Sequence, residues 1–162
     1  MRLKGYEYEA KRSYRQYDFY SEGPKGRIRK AIQYEFLQSA DGIDYYNLGF
    51  DDYLEEEDDI NDLSINDNQD RDKILTTVAF TALEFTSHYP NCKIFAKGST
   101  PPRTRLYQMG ISKHYTEISE LFDIQGRIGP FNWEPFKTGQ NYEAFLAKRK
   151  ENIFIPLWYP EQ

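Results

Sequence analysis

From Gly26 onward, apolar and polar residues alternate, with Ile28, Ile32, Tyr34 and Phe36 on one side and Arg27, Arg29, Gln33 and Glu35 on the other. A period of two predicts a strand with one wet face. Asp41-Gly42 is a turn pair, and Ile43 to Phe50 then supplies the returning strand of a hairpin. Tyr17 to Ser21, closed by Gly23-Pro24, predicts a short strand beside them. The first fifteen residues set Tyr6, Tyr8 and Tyr14 among Arg2, Lys4, Lys11, Arg12 and Arg15 with no helical stripe, so they read as a strand or a loose arm.

The period changes after residue 70. Ile74, Leu75, Val78, Ala79, Ala82, Leu83 and Phe85 fall on one broad helical face. Asp70 suits the N-cap, Asp72 adds favourable charge to the first turn, and Tyr89-Pro90 should end the helix. Cys92 to Lys97 predicts a short apolar strand and Pro102 to Lys113 a second helix. Glu117 to Phe122 can extend helically, whereas Phe122 to Ile128 reads as a strand that Gly129-Pro130 stops. Tyr142, Phe145, Leu146 and Arg149 stand at helical spacing and predict a third helix from Asn141 to Lys150. Strands come first and helices alternate with strands later, with no internal repeat. The order predicts an α+β fold: an antiparallel or mixed sheet of about five strands, with two to three helices packed chiefly on one face.

Composition sets the outer limits. A chain of 162 residues predicts one globular domain over 1–162, and 17% aromatic residues, fourteen of them Tyr, predict a core and a surface rich in rings. No apolar run resembles a secretory signal or a membrane span, and Cys92, the one cysteine, excludes an internal disulfide. A cytoplasmic protein without membrane association is expected. The net charge of −5 conceals an asymmetry: from Asp51 to Asp72 there are eleven acids against Arg71 alone, and elsewhere fifteen acids against twenty bases. An acidic loop over 51–69 therefore sets the sign, and a run of like charge favours a solvated segment. Residues 152–162, with Phe154, Trp158 and Tyr159, form an aromatic tail suited to self-association.

The candidate chemistry concentrates in Gly98-Ser-Thr-Pro-Pro-Arg-Thr-Arg-Leu-Tyr107, where an apolar strand becomes a helix. A helix start offers free N–H groups and a positive dipole end, Ser99 and Thr100 add hydroxyls, and an arginine grips phosphate or carboxylate in two places. Pro101 and Pro102 remove two of those N–H groups, and Arg103 and Arg105 point about 200° apart on a helix. Arg103 and Tyr107, one turn apart, are the first choice for a ligand-facing pair, with Ser99, Thr100 and Arg105 around them. The competing structural account has Ser99 or Thr100 capping the helix, a proline setting its first turn, and the arginines pairing with the acidic loop.

Other segments offer less. Lys25, Arg27 and Arg29 among aromatic residues present a surface for a single-stranded nucleic acid, though overall acidity weighs against a polyanion and favours an ordinary sheet surface. Asn66 to Asp72 superficially resembles a calcium loop, but Arg71 and Thr77 stand where that loop needs its glycine and glutamate. His88 and His114 sit in no zinc spacing and beside no evident nucleophile, and Cys92 reads as core. No catalytic residue, metal site or cofactor is indicated.

Three blocks, Ser21-Glu-Gly-Pro-Lys-Gly26, Tyr46-Asn-Leu-Gly-Phe-Asp51 and the arginine block at 98–107, together with the helix from Asp72 to Phe85 and Phe145-Leu-Ala-Lys-Arg149, resemble a small bacterial domain family of unknown function. The resemblance spans most of residues 17–150. It implies a compact single domain and carries over no catalytic residues. The expected function is that of a non-enzymatic binding or protein-interaction domain, with an unknown protein partner or a second copy. A phosphate-bearing ligand or nucleic acid at the 98–107 turn is the first alternative, and a carboxylate-dependent hydrolase or transferase the second.

Overall fold

The computed structural model describes residues 4–52 and 69–151. The expected acidic loop and aromatic tail lie almost wholly outside these residues. Eight strands, β1 (Glu9–Lys11), β2 (Gln16–Gly23), β3 (Gly26–Ala40), β4 (Ile43–Asp52), β5 (Cys92–Ala96), β6 (Phe122–Ile128), β7 (Asn132–Pro135) and β8 (Ala144–Arg149), accompany three helices, α1 (Arg71–His88), α2 (Pro101–Lys113) and α3 (Tyr115–Leu121). The strands form one sheet in the order β1-β2-β3-β4-β5-β8-β6-β7. It is mixed: β4 and β5 run parallel, whereas β5 with β8, β8 with β6, and β6 with β7 are antiparallel. The α+β class and the mixed sheet stand as expected, with eight strands in place of about five. Two of the additional strands, β1 and β7, have three and four residues, too few to leave a periodic signature.

The third addition corrects a helix. Residues 144–149 form β8 and pair on both sides, with β5 and with β6. Phe145 and Leu146 lie on opposite faces of the strand yet adjoin in sequence, and so mimic one helical stripe. The hairpin at Asp41-Gly42 forms as expected, with φ of 54° and 79° at the two turn residues. Two positive φ values match the right-handed twist of the flanking strands.

Residues 4–33, 49–52 and 69–88 form one compact unit, and 34–48 with 89–151 form another. In the first, Tyr17, Phe19, Ile32, Phe80, Leu83 and Phe85 are buried core residues. The buried row of α1 differs from the expected one, because Thr76, Thr77, Thr81 and Thr86 lie in the interior while Ile74, Leu75, Val78 and Ala79 are half-buried. Each threonine hydroxyl donates within the helix, as Thr77 does to the Lys73 carbonyl at 2.7 Å, and so can be buried without a lost hydrogen bond. Asp70 occupies the N-cap position, its carbonyl accepting from the Ile74 N–H at 2.9 Å. Its carboxylate serves tertiary structure instead: Oδ2 accepts from the Tyr6 hydroxyl at 2.6 Å and the Ser21 hydroxyl at 2.5 Å. Between β1 and β2, Arg12, Ser13 and Tyr14 turn left-handed with φ of 54°, 56° and 65°, and the Tyr14 ring stacks on His88 at 3.6 Å.

In the second unit the core is Phe136, Tyr142 and Phe145, against which Tyr107 and Ile111 of α2, Tyr115 of α3 and Ile124 of β6 pack. Tyr142 is its pivot. Its hydroxyl donates to Glu134 at 2.6 Å and accepts from the Lys137 N–H at 3.0 Å, and its own N–H donates to Gln108 at 2.9 Å. Burial, then the Glu134 hydrogen bond, hold its hydroxyl pKa above the ordinary value. No helix among the described residues is long and apolar enough to cross a membrane.

Candidate functional site

At the 98–107 segment the structure brings Ser99, Thr100 and Arg103 into one turn. Thr100 is the N-cap of α2, extended at φ −137° and ψ 159°, and its hydroxyl accepts from the Arg103 N–H at 3.4 Å. The Arg103 guanidinium donates to the Ser99 hydroxyl at 3.3 Å. The Gly98 N–H donates to the Thr104 hydroxyl at 3.0 Å, and that hydroxyl donates to the Thr100 carbonyl at 3.3 Å. Gly98 is needed by close packing, since a Cβ there would lie 2.4 Å from the Thr104 nitrogen. Prolines fill the first two helical positions, and the Gly98 and Arg103 N–H groups are used inside the turn. Tyr107 packs against the Phe136, Tyr142 and Phe145 core, and Arg105 is exposed. Pairing of these arginines with the acidic segment falls on residues 53–68, outside the described ones.

The basic surface expected on β2 and β3 is largely neutralised within the sheet. Arg27 lies 3.8 Å over the Tyr20 ring and 3.7 Å from the Glu22 carboxylate. Arg29 and Lys11 both reach Asp18 Oδ2, at 2.9 Å and 2.6 Å, and Gln16 donates to Oδ1 at 2.9 Å. Burial pushes the Asp18 carboxyl pKa up, and the hydrogen bonds from Lys11, Gln16 and Arg29 outweigh that push and hold it below the ordinary range. The exposed Lys25 stands at the β2–β3 turn.

A different surface emerges from strand register. Residues directly opposite each other share a face of a sheet. Tyr45 pairs with Lys93, and Asn47 with Phe95. Phe95 pairs with Leu146, Leu146 with Gln125, Gln125 with Pro135, and Arg127 with both Ala144 and Trp133. These residues therefore form one face across β4, β5, β8, β6 and β7, joined by Lys148 opposite Asp123. The ring geometry agrees: Phe95 meets Trp133 edge-on at 6.2 Å, and the Arg127 guanidinium lies 5.9 Å from the Phe95 centroid and 5.7 Å from that of Trp133. Helices α2 and α3 contact the opposite face through Phe145, whose side chain alternates with Leu146.

Most of this face is half-exposed, Trp133 is 36% exposed, and Phe131, at the tip of the β6–β7 hairpin, is 85% exposed. Among the described residues neither Lys93 nor Lys148 forms an ion pair, while Asp123 lies 3.9 Å from Lys150. The Arg127 Nε is buried without a hydrogen-bond partner. Sequence reasoning missed this surface because five strands contribute two or three residues each. Its local signals were the alternation of Lys93 and Phe95 against Cys92 and Ile94, and of Asp123, Gln125 and Arg127 against Phe122 and Ile124.

Among the described residues no three His, Cys, Asp or Glu side chains converge as metal ligands would. Cys92 is buried in β5, where burial and then the Asp44 charge push its thiol pKa up to about 11. Among models of known families, the one described as a family of unknown function, DUF6934, matches residues 2–150. No curated protein and no solved structure matches the chain.

Proposed function

We propose, for a chain that belongs to the DUF6934 family of unknown function, that it is a non-enzymatic binding domain whose ligand lies on the face of β4, β5, β8, β6 and β7 opposite α2 and α3. The observation that carries this reading is the composition of that face: Tyr45, Phe95 and Trp133 interleaved with Lys93, Arg127 and Lys148, with both lysines outside any ion pair among the described residues. Rings offer large contact area at low entropic cost, and unpaired cations give the face a sign. The 98–107 turn, by contrast, has its polar groups engaged with one another. The absence of a recognisable catalytic constellation in the sequence fits binding better than turnover.

Site-specific photo-crosslinking in living cells tests the reading. A benzophenone amino acid at Leu146, in the middle of the face, is expected to yield an adduct that Trp133→Ala diminishes. The same group at Ser87, exposed on α1, serves as the reference. Equal yields at the two positions, or none at Leu146, would sink the proposal.

A further inference from the structure

We infer that this face takes a single-stranded nucleic acid, an inference that rests on the binding reading above and names its ligand. A single strand differs from other anions in presenting flat bases and phosphates in alternation, and it needs a platform offering both chemistries at short intervals. Register supplies this alternation in two dimensions. Along β5, Lys93 and Phe95 sit on the same face two residues apart. Across the sheet, Tyr45 lies beside Lys93, Phe95 beside Leu146, and Arg127 beside Trp133. Neighbouring strands stand about 4.8 Å apart, so a ring and a cation on adjacent strands fall within reach of one nucleotide.

Charge decides between ligand classes. The cations of the other wet surface, Lys11, Arg27 and Arg29, are held by Asp18 and Glu22. Here, among the described residues, the one facing acid, Asp123, is 68% exposed at the rim near Lys150, and Lys93, Arg127 and Lys148 outnumber it. The Arg127 guanidinium lies near both rings. A base stacked on Trp133 therefore lies beside a cation. Gln125 and Asn47 add neutral donors and acceptors suited to base edges. A purely acidic peptide would use the cations and leave the three rings without a role. A duplex keeps its bases stacked inside, so it is the poorer fit for a ring-bearing platform.

The probe is a fluorescein-labelled oligo-dT or oligo-U of about twelve nucleotides, read by anisotropy with the full-length protein at low and moderate salt. Wild type is expected to bind at low salt and to lose affinity steeply as salt rises. Lys93→Glu with Lys148→Glu is expected to weaken binding by at least about tenfold and to flatten the salt dependence. Trp133→Leu, at a 36% exposed position where folding is little challenged, is expected to cost about tenfold for the single strand. Lys25→Glu, at the β2–β3 turn, should change little.

No binding by wild type at low salt overturns the inference, as does binding that survives the double charge reversal. A duplex or poly-glutamate that binds as tightly as the single strand, with Trp133→Leu unaltered, overturns it too. A protein adduct at Leu146 with no oligonucleotide binding keeps the binding reading and removes the nucleic acid. Circular dichroism melts of each variant separate lost binding from lost fold.

Discussion

Gly126 lies under the ring of Tyr142 so closely that a Cβ built on it would stand 2.3 Å from Tyr142 Cγ. The contact lets β6 and the 136–142 segment share one core, and the Tyr142 hydroxyl is fixed by Glu134 on the next strand. Gly126→Ala must push the ring away and break that hydrogen bond. A loss of about 2–3 kcal/mol in urea unfolding is expected. An unchanged midpoint would mean that the ring moves without resistance.

At the start of α2, two substitutions separate a cap from a close approach. Thr100→Ala removes an exposed, long hydrogen bond and should cost only about 0.5 kcal/mol. Gly98→Ala places a methyl 2.4 Å from a backbone nitrogen, which no side-chain rotation relieves, and should cost about 3 kcal/mol. Thermal or urea unfolding of the pair checks the order, and a larger loss from Thr100→Ala would contradict this geometry.

Asp18 makes part of the stability depend on pH. Its carboxyl pKa is held below the ordinary range, so its contribution is complete above the unfolded value near about 4 and is lost as pH falls through the lower, folded value. Asp18→Asn should be less stable than wild type at pH about 7, and the gap should narrow as pH falls toward about 2. Urea titrations of both proteins across that window give the answer. A gap that is constant with pH would assign the loss to shape alone.

The thiol of Cys92, with its pKa raised to about 11, holds a thiolate fraction near about one in a thousand at pH about 8. Ellman's reagent should leave it untouched in the native protein and modify it stoichiometrically in guanidinium chloride. Rapid native reaction would place Cys92 outside the core.

What the sequence disclosed was local. The hairpin at Asp41-Gly42 was legible because two residues carry the whole signal, and α1 was legible because Tyr89-Pro90 marks its end. The interior row of α1 was not, since threonine counts as polar until its hydroxyl is seen to bond the preceding turn. β8 was hidden for a different reason: Phe145 and Leu146 lie on opposite faces of a short strand, yet with Tyr142 and Arg149 they also fit helical spacing. The 98–107 turn was legible as a helix start, with Thr100 at its N-cap. The face opposite α2 and α3 left only short alternations in the sequence, because its members, from Tyr45 to Lys148, meet through the crossovers β4 to β5 and β5 to β8.

That strand order also bears on synthesis. β5, β6 and β7 leave the ribosome before β8, yet β8 lies between β5 and β6. A chain that ends at Gln140 would lack the partner that β5 and β6 share. Open edges of that kind pair with neighbouring chains. Truncation before Ala144–Arg149 is therefore expected to promote association between chains.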